Sequence, residues 1–194
     1  MRHVAAQIER DRSVSQELFA RSLLQVGKLV EDHVCQSEFV KAALTVSLFR
    51  LDMQNPDVDY DNWSNALERA DKVARFALQC LPSDGNFWVR FAMVRQAIGE
   101  QPEEIAKLVT LSQLYAPAEE NTIAARFRLY NRLTQPSLAL TAAPLRADLA
   151  VVCSLKGAAL RKRLPLPRPV LAEEVLAIAP DCALGRSSSG KTGR

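Results

Sequence analysis

Apolar residues along this chain recur at helical spacing, and no stretch alternates convincingly with a period of two. Ser13 with Gln16 reads as a capping box, and Phe19, Leu23, Val26 and Val30 then fall on one face of a helix. A second helix is expected over about residues 37 to 51, with Val40, Leu44, Leu48 and Leu51 as its stripe. The loop that follows holds Pro56 and the acidic residues Asp57, Asp59 and Asp61, and Ser64 reads as the cap of a third helix. That helix has a broad apolar face made by Leu67, Ala70, Val73, Ala74, Ala77, Leu78 and Leu81. Asp84 is placed to cap a fourth, with Trp88, Phe91, Ala92 and Ile98 turned inward and Gly99 ending it. A fifth and a sixth are expected from Pro102 to Tyr115 and over 117–133. Each opens on a proline, whose missing amide hydrogen is harmless in a first turn, and each has paired glutamates near the positive end of the helix dipole.

From Pro136 onward the punctuation changes. This part carries six of the ten prolines and nine Lys or Arg against four Asp or Glu. Helices are expected over 145–160 and 170–178, with Arg161-Lys162-Arg163 and then Pro165, Pro167 and Pro169 between them. The proline run cannot continue a helix and reads as an extended strap or linker. The expected fold is all-α, a set of antiparallel helical hairpins stacked as a short α-solenoid. It divides into a helical domain over 1–135, a proline-rich basic segment over 136–183 and a disordered tail over 184–194.

The composition, 48% hydrophobic and 24% charged over 194 residues with a formal net charge of +3, is that of a globular protein able to bury a core unaided. Cys35, Cys80, Cys153 and Cys182 are far apart, and only His3 and His33 could join them. With no CxxC or CxxH spacing, no metal site is expected, and the cysteines read as buried free thiols in a reducing compartment. The first residues reach Glu9, Arg10, Asp11 and Arg12 too soon for a secretory signal, and no window could span a bilayer, which makes the cytoplasm the expected location. Without a secretory signal, the glycosylation-like Asn62-Trp63-Ser64 has no consequence.

Little here resembles catalytic machinery. His33 follows Glu31-Asp32 where a helix ends and reads as a cap. Glu103-Glu104, Glu119-Glu120 and Glu173-Glu174 are consecutive, so neither member of a pair faces the other. The run from Gly185 to Thr192 matches the phosphate-loop expression literally, but Pro180-Asp181-Cys182 leads in and two residues follow Thr192. Without the strand before and the helix after, no nucleotide or other cofactor is expected. Arg161, Lys162, Arg163 and Arg168 form a basic cluster with no interleaved aromatics, which reads as a helix end more readily than as a nucleic-acid or membrane contact.

Leu81-Pro82, Trp88, Phe91, Ala92, Gly99 and Ala116-Pro117 recur at about the spacing of one tetratricopeptide unit. The region over 44–133 therefore resembles a degenerate tetratricopeptide-like α-helical repeat. In that family the first helix of each hairpin lines the concave side. The resemblance thus implies a groove faced by Asn86, Arg90 and Met93 of one unit and Asn121, Ala125 and Arg128 of the next. Val89 and Met93 depart from the family's clamp for acidic C-terminal peptides, so chaperone tails are not the expected ligand. The segment over 111–133, with its Tyr115-Ala116-Pro117 joint and Arg126-Phe127-Arg128, is also similar to bacterial helical-repeat proteins of unknown function, some linked to envelope polysaccharide assembly. The function implied is a non-enzymatic adaptor for a protein or peptide partner. One alternative is an oligomeric structural subunit, in which another copy covers Phe19, Leu23, Val26 and Val30. A further one is a nucleic-acid-associated protein acting through its basic C-terminal segment.

Overall fold

The computed structural model describes residues 1–10, 12–182 and Leu184, and among these it is all-α, with eleven helices and no strand. The helices are α1 (Arg2–Ile8), α2 (Gln16–Glu31), α3 (Ser37–Asp52), α4 (Tyr60–Cys80), α5 (Gly85–Ile98) and α6 (Pro102–Tyr115). They continue with α7 (Glu120–Tyr130), α8 (Gln135–Leu140), α9 (Ala142–Val152), α10 (Ala158–Arg163) and α11 (Pro169–Ile178), with a 3₁₀ turn at Leu155–Gly157. Of the tail expected over 184–194, Leu184 packs partly buried against the core, and 185–194, including the phosphate-loop-like run, lie outside the described residues.

Local chemistry accounts for the helix borders. Asp84 accepts from the amides of Asn86 and Phe87 and so starts α5 as expected, and α6 opens on Pro102. Two caps differ from the sequence expectation. Ser15, not Ser13, accepts from the Leu18 amide, and Asp59, not Ser64, holds the Asn62 amide. Ser64 lies one turn inside α4, because the nearer carboxylate had already satisfied the first free amides. The helix expected over 117–133 is shorter, Pro117 staying in the loop, and the one expected over 145–160 is divided among α9, the 3₁₀ turn and α10. His33 has a positive φ of 50° just past α2, where the Val34 amide closes back on the Leu29 carbonyl.

Short connections turn the chain back on itself. α3 packs on α4 and α5 on α6, and the two pairs join through α4 against α5, while α7 lies on α5. Across three helices, Arg95 of α5 bridges Asp71 of α4 at 3.6 Å and Glu104 of α6 at 2.9 Å. One apolar cluster runs from Val4 of α1 to Val175 of α11. Phe19, Val26 and Val30 of the α2 stripe are buried inside it, and Leu23 packs partly buried against it. Trp88 is half-buried against this core, and its indole N–H donates to the Pro82 carbonyl at 2.7 Å. Ile98, expected inside, is 45% exposed. Where the start of α5 meets the end of α6, a Cβ on Gly85 would lie 2.5 Å from the Ala116 Cβ, so this close approach requires glycine.

The cysteine expectation is overturned. Cys35 is bonded to Cys80 and Cys153 to Cys182, leaving no free cysteine among the described residues. Separations of 45 and 29 residues hid the pairs, which the fold brings to Cα–Cα distances of 5.1 and 5.5 Å. Disulfides persist in oxidising compartments, so the expected reducing environment, and the cytoplasmic location inferred with it, loses its support. No helix among the described residues is long and apolar enough to cross a membrane.

The deepest polar feature is an ion pair. Arg126 of α7 and Asp148 of α9 have side chains with no exposure, and Arg126 donates to Asp148 through Nε at 2.7 Å and Nη2 at 2.6 Å. Its remaining hydrogens go to Ser112 and to the Ala116 carbonyl, closing the end of α6, while Tyr130 donates its hydroxyl to Asp148 at 3.1 Å. Burial, with the Asp148 charge beside it, pushes the Tyr130 phenol well above its ordinary range, so it acts as a neutral donor. The proline run is laid down as a strap. Asn131 donates to the Leu166 carbonyl at 2.8 Å and accepts from the Arg168 amide at 2.6 Å.

Candidate functional site

The exposed faces of α3, α5 and α7 border two adjoining cavities that share Arg90. The first, about 430 Å³, runs from Thr45 of α3 past Asn86 of α5 to Tyr115 and Glu119, with Glu9 and Lys41 at its edge. The second, about 330 Å³, has Leu48 and Leu51 on one wall, Met93 on its floor, and Ala125 and Arg128 opposite. Trp63, Asp52 and Arg132 complete its lining.

Helical periodicity explains why these side chains meet. Asn86, Arg90, Met93 and Ala97 recur at three and four residues along α5, and Leu44, Leu48, Leu51 and Asp52 do so along α3. Ala125 and Arg128 are similarly spaced on α7. The Nε of Arg90 donates to Asn86 Oδ1 at 3.2 Å, which orients the guanidinium along the groove. Burial pushes Arg90 below its ordinary value, Glu9 works against this, and the Arg128 charge adds to the depression. Asp52 is shifted upward by burial, although Arg132, Arg90 and Arg128 all draw it down.

Arg90, Arg128 and Arg132 form no salt bridge among the described residues, and Asp52 is the sole carboxylate lining their cavity. Three cations beside Leu48, Leu51, Trp63 and Met93 can hold a ligand that has both anionic and apolar groups. They offer no nucleophile with a base. Among the described residues no three His, Cys, Asp or Glu side chains stand where they could share a metal ion.

Of the groove residues expected from the sequence, Asn86, Arg90, Met93, Ala125 and Arg128 line these cavities. Asn121 lies apart from them, its Oδ1 accepting from Arg163 at 2.7 Å. The basic cluster is divided among separate tasks. Arg161 closes the carbonyls of Val152 and Ser154, Arg163 pairs with Glu120 at 3.2 Å, and Arg168 belongs to the strap, leaving Lys162 exposed. Three of the six paired glutamates are similarly engaged: Glu104 with Arg95, Glu119 with the Thr122 hydroxyl and Glu120 with Arg163. Sequence reasoning missed Asp52, Trp63 and Arg132. Asp52 carries a signal, since it follows Leu48 at helical spacing, whereas Trp63 comes from the second helix of its hairpin and Arg132 from beyond the end of α7.

Comparison with protein-family models, with curated proteins and with solved structures found no match to this chain.

Proposed function

We propose that this chain is a non-enzymatic adaptor that holds a segment of a partner protein in the groove of α3, α5 and α7. The tetratricopeptide-like spacing of Trp88, Phe91, Ala92 and Gly99 supports this reading, because in such repeats the first helices form the recognition face. The observation that carries it is the set Arg90, Arg128 and Arg132, which line one cavity beside Leu48, Leu51, Trp63 and Met93 without ion-pair partners among the described residues. Arg90 is half-buried, so its guanidinium is partly desolvated at a cost, and a ligand carboxylate held between it and the exposed Arg128 or Arg132 recovers that cost through charge-assisted bonds. The ligand this favours is a peptide segment that alternates acidic and apolar side chains.

Arg128 and Arg132 are exposed, so Arg128→Glu with Arg132→Glu tests the groove without disturbing the core. Quantitative affinity capture from the native cells should lose the groove's partners with this variant and keep them with Lys162→Glu. An unchanged partner set would refute the groove. A nucleic-acid role has less support, because Arg161 and Arg163 are engaged with backbone carbonyls and with Glu120 and Asn121.

A further inference from the structure

Two surfaces remain outside the groove, one between α2 and α4 and one on α11. The first is a slot of about 700 Å³ between α2 and α4, floored by α3. Leu23, Val26, Val30, Ala66 and Val73 give it an apolar interior, and Leu24 stands at its rim 72% exposed. Gly27 lowers the wall, since a Cβ built there meets nothing within 4 Å. The slot's charges are Lys28, Arg50, Arg69 and Lys72 against Glu31 alone, and none of these four cations forms a salt bridge among the described residues.

The second surface is the outer side of α11. Its inner face, Leu171 and Val175, is buried in the core, while Val170 and Leu176 on other sides are 40% and 60% exposed. Glu173 and Glu174 lie between them in sequence, and Asp181 follows beside an open cavity of about 480 Å³ that Leu176 also lines. Neither glutamate has an ion-pair partner among the described residues. The helix is anchored on its own body by the Cys153–Cys182 disulfide and by the Asn131 clasp, which leaves its outer face presented.

We propose that the α2–α4 slot of one copy receives the outer face of α11 of a second copy. Apolar surface meets apolar surface, and the glutamates of α11 enter a rim that is four cations to one anion. The ten residues of α11 make a rod of roughly 15 Å, which sets the length of the contact. The contact joins unlike surfaces, so it is heterologous and builds head-to-tail rings or chains rather than a closed two-fold dimer. One short helix buries less than a standard interface, which makes the association weak and salt-sensitive.

Sedimentation velocity on the oxidised full chain tests this over roughly 10 μM to 1 mM at low and high salt. The weight-average mass should climb with concentration at low salt and fall back at high salt. Arg69→Glu with Lys72→Glu, and separately Glu173→Lys with Glu174→Lys, should each weaken association at least about tenfold. Thermal melts should show both variants folded, since Arg69, Lys72 and Glu173 are exposed and Glu174 is partly so. Mixing the two variants should restore association, because the native slot of one then meets the native α11 of the other. A mass fixed at one subunit throughout, association that survives either reversal, or a mixture no heavier than its parts would overturn the proposal.

Discussion

Replacing Asp148 by alanine removes the acceptor of three buried hydrogen bonds, two from Arg126 at 2.7 and 2.6 Å and one from the Tyr130 hydroxyl at 3.1 Å. The guanidinium would then be enclosed with only neutral acceptors, Ser112 and the Ala116 carbonyl. An uncompensated buried charge of this kind costs about 3–5 kcal/mol. A domain of this size has roughly 5–15 kcal/mol in total, so the variant should lose a large fraction of its stability. At about 2–4 °C per kcal/mol, its Tm should fall by roughly 6–20 °C. The same reasoning predicts a partial rescue. Arg126→Met with Tyr130→Phe and Asp148→Leu removes both charges and the stranded hydroxyl, and should regain about half of the loss or more. Urea unfolding with both disulfides intact measures both variants. A loss below about 1 kcal/mol for Asp148→Ala, or a triple variant no more stable than the single one, would refute the argument that charge desolvation dominates here.

Four further outcomes are expected of this fold. Cys35→Ser with Cys80→Ser should cost about 4 kcal/mol by the loop-closure argument for a separation of 45 residues, and a thiol reagent added to the unfolded, unreduced chain should find nothing to modify. His33→Gly should raise stability by about 0.5–1 kcal/mol in the same urea titration, because φ at this residue is 50° and its role is to end α2. The Asp59 carboxyl is held below its ordinary value by the Asn62 backbone amide first and the Asn62 side chain second. Its stabilisation of α4 is therefore complete above the unfolded value of 3.8 and lost as pH falls through the lowered folded value, a titration visible in carboxyl NMR and absent in Asp59→Asn. A chain ending at Leu140 should fail to fold cooperatively by circular dichroism, since it strips Asp148 from Arg126 and the strap from Asn131.

The helices of the first two thirds could be read from the sequence because their causes are local. Asp84 and Pro102 start α5 and α6, Gly99 ends α5, and apolar residues at three and four positions mark the inward faces. Where two local signals competed, the reading slipped. Ser13 and Ser15 are equally good caps in isolation, as are Asp59 and Ser64, and only the path of the chain selects between them. Helical spacing also put Asn86, Arg90 and Met93 on one face, and they line the two adjoining cavities. Asn121 shared that periodicity on α7 but was drawn aside by Arg163, forty-two positions further along.

What the amino-acid order determined by itself was the all-α class, most helix borders and the face that each helix would turn inward. Tertiary structure decided which distant groups meet. Arg126 and Asp148 are polar letters in apolar stretches until α7 and α9 enclose them together. Cys35 and Cys80, or Cys153 and Cys182, are widely separated thiols until the helix ends converge. Helix propensity and capping act over a few residues and leave a trace in every window. A buried ion pair or a disulfide depends on the closure of long loops, which no single window of sequence records.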